Sequence, residues 1–181
     1  MKKLAILFTL ICLFFTACGE TAMTGVTVVV PDGKPAPVDN AVIDDKEYTC
    51  ILSIVCTELV GADALDKNKT DLVPQDGVIL PPTEVTFYGG ESVFNLLRRE
   101  CRQRKLHLEF TETPLYNSAY IEGIANLYEF DAGALSGWIY TVNGWSPNYG
   151  CSRYALSPGD EVVWEFSLDG QGKNGFVAEA E

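Results

Sequence analysis

Trp145, Asn148 and Tyr149 fall within one short stretch, Gly137 to Cys151 (GWIYTVNGWSPNYGC), and are side chains that can hold a planar ligand. Two aromatic rings supply stacking surface and an amide supplies hydrogen bonds. Pro147 lies between the rings and has no N–H to give a strand ladder, so the backbone here is expected to leave its sheet and turn Trp145 and Tyr149 toward solvent. Tyr116 and Asn117, in the segment Thr113 to Tyr120, are a second aromatic and amide pair of the same kind. We take Trp145, Tyr149, Asn148, Asn117 and Tyr116 as the candidate ligand-binding set. Trp164 is expected in the core, and Trp138 and Tyr140 sit inside a strand, where packing can use both rings.

Other chemistries lack their parts. His107 is the only histidine, which removes most zinc sites and any mechanism that needs two imidazoles. No nucleophile elbow, phosphate loop or dinucleotide fingerprint occurs. The run Asp66 to Asp71 resembles the start of a calcium loop, but the sixth and twelfth positions, which need Gly and Glu, hold Asp71 and Gly77. Asp66, Asp71 and Asp76 are therefore read as a solvated loop with at most weak cation affinity. No catalytic residue, cofactor or metal ligand is assigned, and the chain is read as not an enzyme.

The elements that position these residues follow from period and punctuation. Trp138, Tyr140 and Val142 alternate with Ile139 and Thr141, and Asn143-Gly144 marks a type I′ hairpin turn. Val162, Trp164, Phe166 and Leu168 share one face of a second strand. Tyr48 to Leu59 reads as a central strand, apolar on both faces, and Val85 to Tyr88 as a short one after Val78-Ile79-Leu80. Ser92 is placed to cap a helix running to about Lys105, with Phe94, Leu97 and Cys101 on one face. The arginines of its second half complement the helix dipole. Strands follow at Leu106 to Phe110 and at Ile121 to Phe130, the latter broken by Gly123 and Asn126. One helix across a mostly antiparallel sheet with hairpins is an α+β arrangement.

The N-terminus has Lys2 and Lys3 before an apolar run, Leu4 to Phe15, too short to span a bilayer. Thr16-Ala17-Cys18-Gly19 then resembles a lipobox. Residues 1–17 are read as a lipoprotein signal peptide and Cys18 as the lipidated residue. Residues 18–47 are read as a flexible tether, in which Val28 to Val30 are apolar enough for an edge strand. Residues 48–168 form the domain and residues 169–181 a flexible tail. The expected location is the outer face of the cell membrane, anchored only by the lipid on Cys18. The whole chain carries a net charge of −12. Loss of Lys2 and Lys3 leaves 11 basic against 25 acidic residues. Nucleic acid is thus a poor partner on electrostatic grounds. Cys50, Cys56, Cys101 and Cys151 remain in the exported part, an even number that suggests two disulfides.

The motifs GW-x-Y-x-VNG, NYGCSRY and L-x-x-GD-x-V-x-W resemble the transcobalamin-like C-terminal domain family, in particular its bacterial lipoprotein branch. The resemblance covers about Tyr48 to Leu168. It implies a β-grasp-like module and a binding role, with a corrinoid or another small ring-bearing molecule as ligand. The large helical partner domain of the animal carriers has no counterpart in this sequence. A surface-protein or cell-envelope partner, or a divalent cation, is the alternative. In a β-grasp arrangement the helix returns toward the end of the first strand. That favours Cys56–Cys101 with Cys50–Cys151 over Cys50–Cys101 with Cys56–Cys151.

Overall fold

The computed structural model describes residues 28–113 and 117–171. The signal peptide, Cys18, Tyr116 and most of the tail fall outside the described residues.

Strands β1 (Glu47–Val55), β2 (Val78–Tyr88), β6 (Gly137–Val142) and β7 (Glu161–Ser167) form one sheet in the order β2-β1-β7-β6. β1 and β7 run parallel in its centre, and the outer pairs are antiparallel. Strands β3 (Leu108–Thr113), β4 (Ser118–Ile124) and β5 (Leu127–Tyr128) form a second, antiparallel sheet. With α1 (Val93–Arg104), the one α-helix among the described residues, this is an α+β fold. The central position of β1 and β7 explains their apolar sequences: Leu52, Ile54, Val162, Trp164 and Phe166 are all buried. Phe94, Leu97 and Cys101 of α1 are buried as their spacing requires, with Val93 and Leu96 beside them. Ser92 caps the helix through its hydroxyl and Asn95 answers from the third position, a reciprocal capping box. Two of the helical arginines form ion pairs. Arg99 bridges to the buried Glu91, and Arg104 reaches Glu100 one turn back, at 3.2 Å.

Several boundaries differ from those read in the sequence. β1 ends at Val55, and residues 57–59 wind into a short 3₁₀ turn. β2 is one continuous strand across Pro81-Pro82, where the sequence suggested a loop to Pro82 and a strand only at Val85 to Tyr88. The strand tolerates both prolines because it is an edge strand and its register slips there, between Leu52–Thr83 and Ile54–Leu80. The break in the region 121–130 is a hairpin turn at Ala125-Asn126, with φ of 52° and 64°.

Among the described residues Cys50, Cys56, Cys101 and Cys151 are buried free thiols, and neither Cys56–Cys101 nor Cys50–Cys151 is present as a bridge. Cys50 lies in the β1–β2 ladder opposite Val85, while Cys151 donates to the Ala119 carbonyl at 3.5 Å beside β4. Each thiol is accommodated by the core as a small apolar group.

Residues 28–46, read as tether, lie against the domain instead of leading away from it. The Val38 amide donates to the Arg153 carbonyl at 2.8 Å, and Asp44 and Lys46 bracket Gly89 through main-chain bonds of 2.9 and 3.0 Å. Val28 and Val30 pack against the core while Val29 faces solvent, yet no strand forms there.

Candidate binding site

The hairpin turn at Asn143-Gly144 forms as its sequence dictates, with φ of 52° and 72°. Asn143 is pinned to the start of β7: its amide group donates to Asp160 and its carbonyl oxygen accepts from the Glu161 N–H, both at 2.8 Å. The return ribbon is one residue long. Val142 and Trp145 exchange both main-chain bonds, at 2.9 and 3.0 Å. The next facing position, opposite Tyr140, is occupied by Pro147, which has no N–H, and the ladder stops.

That stop leaves an open sheet edge. The Asn143 N–H points to β7, donating to Glu161, whereas the main-chain groups of Val142 point away to Trp145. Strand alternation then directs the N–H and C=O groups of Tyr140 and Trp138 to the same outer side. β4 faces this edge across a cleft of about 620 Å³. One wall is Trp138, Ile139 and Tyr140; the other is Ala119, Tyr120 and Ile121; Ser146, Pro147, Asn148, Gly150 and Cys151 close one end, and Gly170 and Gln171 also line it. Trp164 contributes to the lining, and its buried indole N–H has no hydrogen-bond partner among the described residues. The Tyr140 hydroxyl, by contrast, donates to the Tyr149 carbonyl at 2.8 Å, and burial pushes its pKa far up, so it stays neutral.

A separate aromatic cluster lies beyond the loop. Tyr149 stacks on Tyr154, centroids 6.2 Å apart at 17°, and Trp145 meets Tyr149 edge-on at 6.0 Å. The two rings expected to face solvent do not. Tyr149 is 7% exposed and Trp145 is half-buried. The N-terminal segment covers them. The Tyr149 hydroxyl donates to the Pro35 carbonyl at 2.7 Å, Asn148 donates to the Val29 carbonyl at 2.8 Å, and the Lys34 ammonium sits 5.4 Å from the Trp145 ring centre. Burial pushes the Tyr149 pKa up to about 12, which keeps it a donor at neutral pH. Asn117 is drawn to the same segment, donating to Asp39 at 2.9 Å.

Of the predicted set, then, Trp145, Asn148, Tyr149 and Asn117 all touch residues 28–39, and only Asn148 also lines the cleft. Tyr116 lies outside the described residues. The cleft residues Trp138, Tyr140 and Trp164 were read as core. The available signal was Pro147, which ends the ribbon and so opens the edge of β6.

The remaining candidates are structural. Asp66 caps a 3₁₀ turn by accepting from Asn68, and Asp76 accepts from the Val78 N–H. Among the described residues no group of three His, Cys, Asp or Glu side chains is placed to hold a metal ion. His107 Nε2 is 3.2 Å from the Tyr128 hydroxyl, which donates to Glu109.

Residues 90–167 match a protein family described as a domain of unknown function, DUF4430. No curated protein matches the chain. Among solved structures, haptocorrin in complex with Cbi is similar over 68% of this chain and 26% of its own, at 13% identity and a TM-score of 0.50. The chain thus spans about a quarter of the length of haptocorrin, and the likeness is one of fold. A candidate metal-binding protein from Ruminococcus gnavus is similar over 66% of this chain and 96% of its own, at 14% identity and a TM-score of 0.38. The resemblance to the transcobalamin-like C-terminal domain family, carried in the sequence by the GW-x-Y-x-VNG and NYGCSRY motifs, is borne out.

Proposed function

We propose that this chain is a non-catalytic binding module that holds a small ring-bearing ligand, a corrinoid being the first to test, in the cleft between β4 and β6. The observation that carries the reading is the cleft itself. Its volume suits small-molecule sites, which are concave and mostly apolar with a few fixed polar groups. Here those groups are the outward main-chain edge of β6 at Trp138 and Tyr140 and the Trp164 indole N–H, unpartnered among the described residues. An apolar ring between Trp138 and Ile121 would be held by dispersion and oriented by these donors and acceptors. The haptocorrin complex with Cbi supports a corrinoid as the starting ligand, since the shared fold there belongs to a protein that holds one. The sheet order, with parallel β1 and β7 at the centre and one helix, supports the finer assignment to a β-grasp-like module. Export and a lipid on Cys18 would place the module on the outer membrane face. The check is Cys18→Ala, which is expected to release the protein from the membrane fraction or leave it unprocessed.

The test of binding is a thermal-shift screen with cobinamide and cobalamin, with a metal-free porphyrin as control, read together with tryptophan quenching. A true ligand raises the melting temperature and quenches Trp138 and Trp164. Tyr120→Ala removes an exposed cleft ring and is expected to weaken binding about tenfold while leaving the fold intact. A screen in which no ring-bearing ligand shifts the melting temperature would defeat the reading. A cation reading has less support, because Asp66 and Asp76 are engaged in their own turns.

A further inference from the structure

The aromatic face of Trp145 and Tyr149 is already occupied, and the way it is occupied identifies what it recognises. The occupant, residues 28–39, has the sequence VVVPDGKPAPVD, with prolines at 31, 35 and 37. A turn closed by the Lys34 N–H on the Pro31 carbonyl, at 3.1 Å, uses Gly33 at φ 78°. Beyond Val28 and Val30 the segment buries little of its own: Asp32, Lys34, Pro35 and Ala36 are exposed. What holds it is the main-chain bond from Val38 to the Arg153 carbonyl together with a set of side chains aimed at its backbone and its charges. Asn148 and Tyr149 donate to the carbonyls of Val29 and Pro35. Trp145 lies under the Lys34 ammonium. Arg153 binds Asp39 through two nitrogens, at 2.7 and 3.1 Å, and Asn117 adds a third bond to the same carboxylate.

This is the chemistry by which aromatic grooves read proline-bearing segments. Proline carbonyls are strong free acceptors, the stiff backbone loses little entropy on docking, and flanking charges set direction. A core-packing role would leave different marks: side chains of the segment buried, and the groove's hydrogen-bonding groups satisfied within the domain.

We propose that the face formed by Trp145, Asn148, Tyr149 and Arg153 is a recognition groove for a proline-bearing segment with a cation in its middle and an acid at its C-terminal end. Residues 28–39 are its built-in occupant, exchangeable for a segment of the same chemistry presented by a partner protein. The groove and the cleft meet only at Asn148, so the two sites stand or fall separately.

The experiment uses the full chain and a fluorescent peptide reproducing residues 28–41. In the wild type the cis segment competes, and the apparent affinity is reduced by the fraction of molecules with an open groove. Lys34→Ala with Asp39→Lys removes the contact to Trp145 and sets a cation against Arg153 in cis, while the added peptide keeps both residues. Both positions are exposed, and circular dichroism verifies that the fold is retained. The variant is expected to bind the peptide about tenfold more tightly than the wild type, the gain that opening most of the grooves would give. Tyr149→Phe in that background keeps the ring, removes the donor to the Pro35 carbonyl and is expected to lose most of the gain. A peptide with its three prolines changed to alanine is expected to bind weakly. Concentration-dependent dimerisation of the released variant would support the groove and identify a second copy as the partner. Equal affinity of wild type and released variant, with hydrogen exchange showing the segment freed, would overturn the proposal. So would equal binding of the alanine peptide.

Discussion

Gly150 is the point where the cleft loop touches β4, and Gly150→Ala is the sharpest test of how the two sheets are joined. The backbone at Gly150 has φ −69° and ψ 152°, which any residue adopts, so no conformational strain arises. The obstacle is steric. A Cβ added there would overlap the Cβ and hydroxyl of Ser118, whose Cα lies only 3.7 Å away. Non-bonded carbons prefer about 3.5–4.0 Å. Rotating the serine cannot help, because its Cβ does not move with χ1. The backbones must part, and both are pinned. Ser118 is paired with Thr113 in β3, and its neighbour Ala119 donates to Ser152 at 2.7 Å. Gly150 accepts from the Arg153 N–H at 2.9 Å. Overpacking of this kind costs about 1–3 kcal/mol. Loss of the Ala119–Ser152 hydrogen bond adds about 1 kcal/mol. A total of about 2–4 kcal/mol corresponds to a fall in melting temperature of roughly 6–12 °C for a domain of this size. The assay is thermal unfolding followed by far-UV circular dichroism, run as a double-mutant cycle. Ser118→Ala leaves the Cβ in place and should not rescue Gly150→Ala. Ser118→Gly removes it, and in that background Gly150→Ala should cost under about 0.5 kcal/mol, within the additivity error of such cycles. Equal destabilisation by Gly150→Ala in both backgrounds would refute the steric account.

Trp164→Ala is expected to cost about 3–5 kcal/mol, because the ring is 2% exposed at the centre of the sheet. Trp145→Ala should cost far less, since its ring is half-buried, and comparable unfolding curves for the two would show Trp145 to be core. All four thiols should resist iodoacetamide in the native protein at pH 8 and react in denaturant. Burial pushes Cys56 to about 11 and Cys50, Cys101 and Cys151 to about 12. Their folded pKa values exceed the unfolded value of about 8.5, so stability present below that pH declines as pH rises through the folded values. Fewer than four reactive thiols after unfolding without reductant would show a bridge. The Arg153 guanidinium holds the Asp39 carboxyl below its ordinary range, so its contribution is present at neutral pH and is lost in acid. Amides of residues 38–44 should therefore exchange faster as pH drops below about 4, after correction for intrinsic rates, and Asp39→Asn should abolish that dependence.

Local physics was legible in the sequence. Asn143-Gly144 specified its turn because only residues tolerant of positive φ close a two-residue hairpin. Ser92 and the spacing of Phe94, Leu97 and Cys101 specified the helix and its buried face. The apolar alternation of Val162, Trp164 and Phe166 marked a core strand, and the family motifs located the module. What the sequence left undetermined is which strands end up at an edge and what lies across from them. β2 carries Pro81-Pro82 because it is an edge, and β6 opens a cleft because β4 belongs to another sheet. Neither fact is a property of the strand's own residues. Residues 18–47 read as a tether, yet residues 28–46 of their described part lie against the domain for the same reason. Proline, glycine and acidic composition describes a segment with too few apolar side chains to fold alone. Partners for its backbone come from Asn148 and Tyr149, more than a hundred positions away. Exposure of Trp145 and Tyr149 was argued from Pro147, which does expel the chain from the ladder. Only the tertiary structure decides whether an expelled ring meets water or another part of the chain, because that depends on a long-range contact no local pattern encodes.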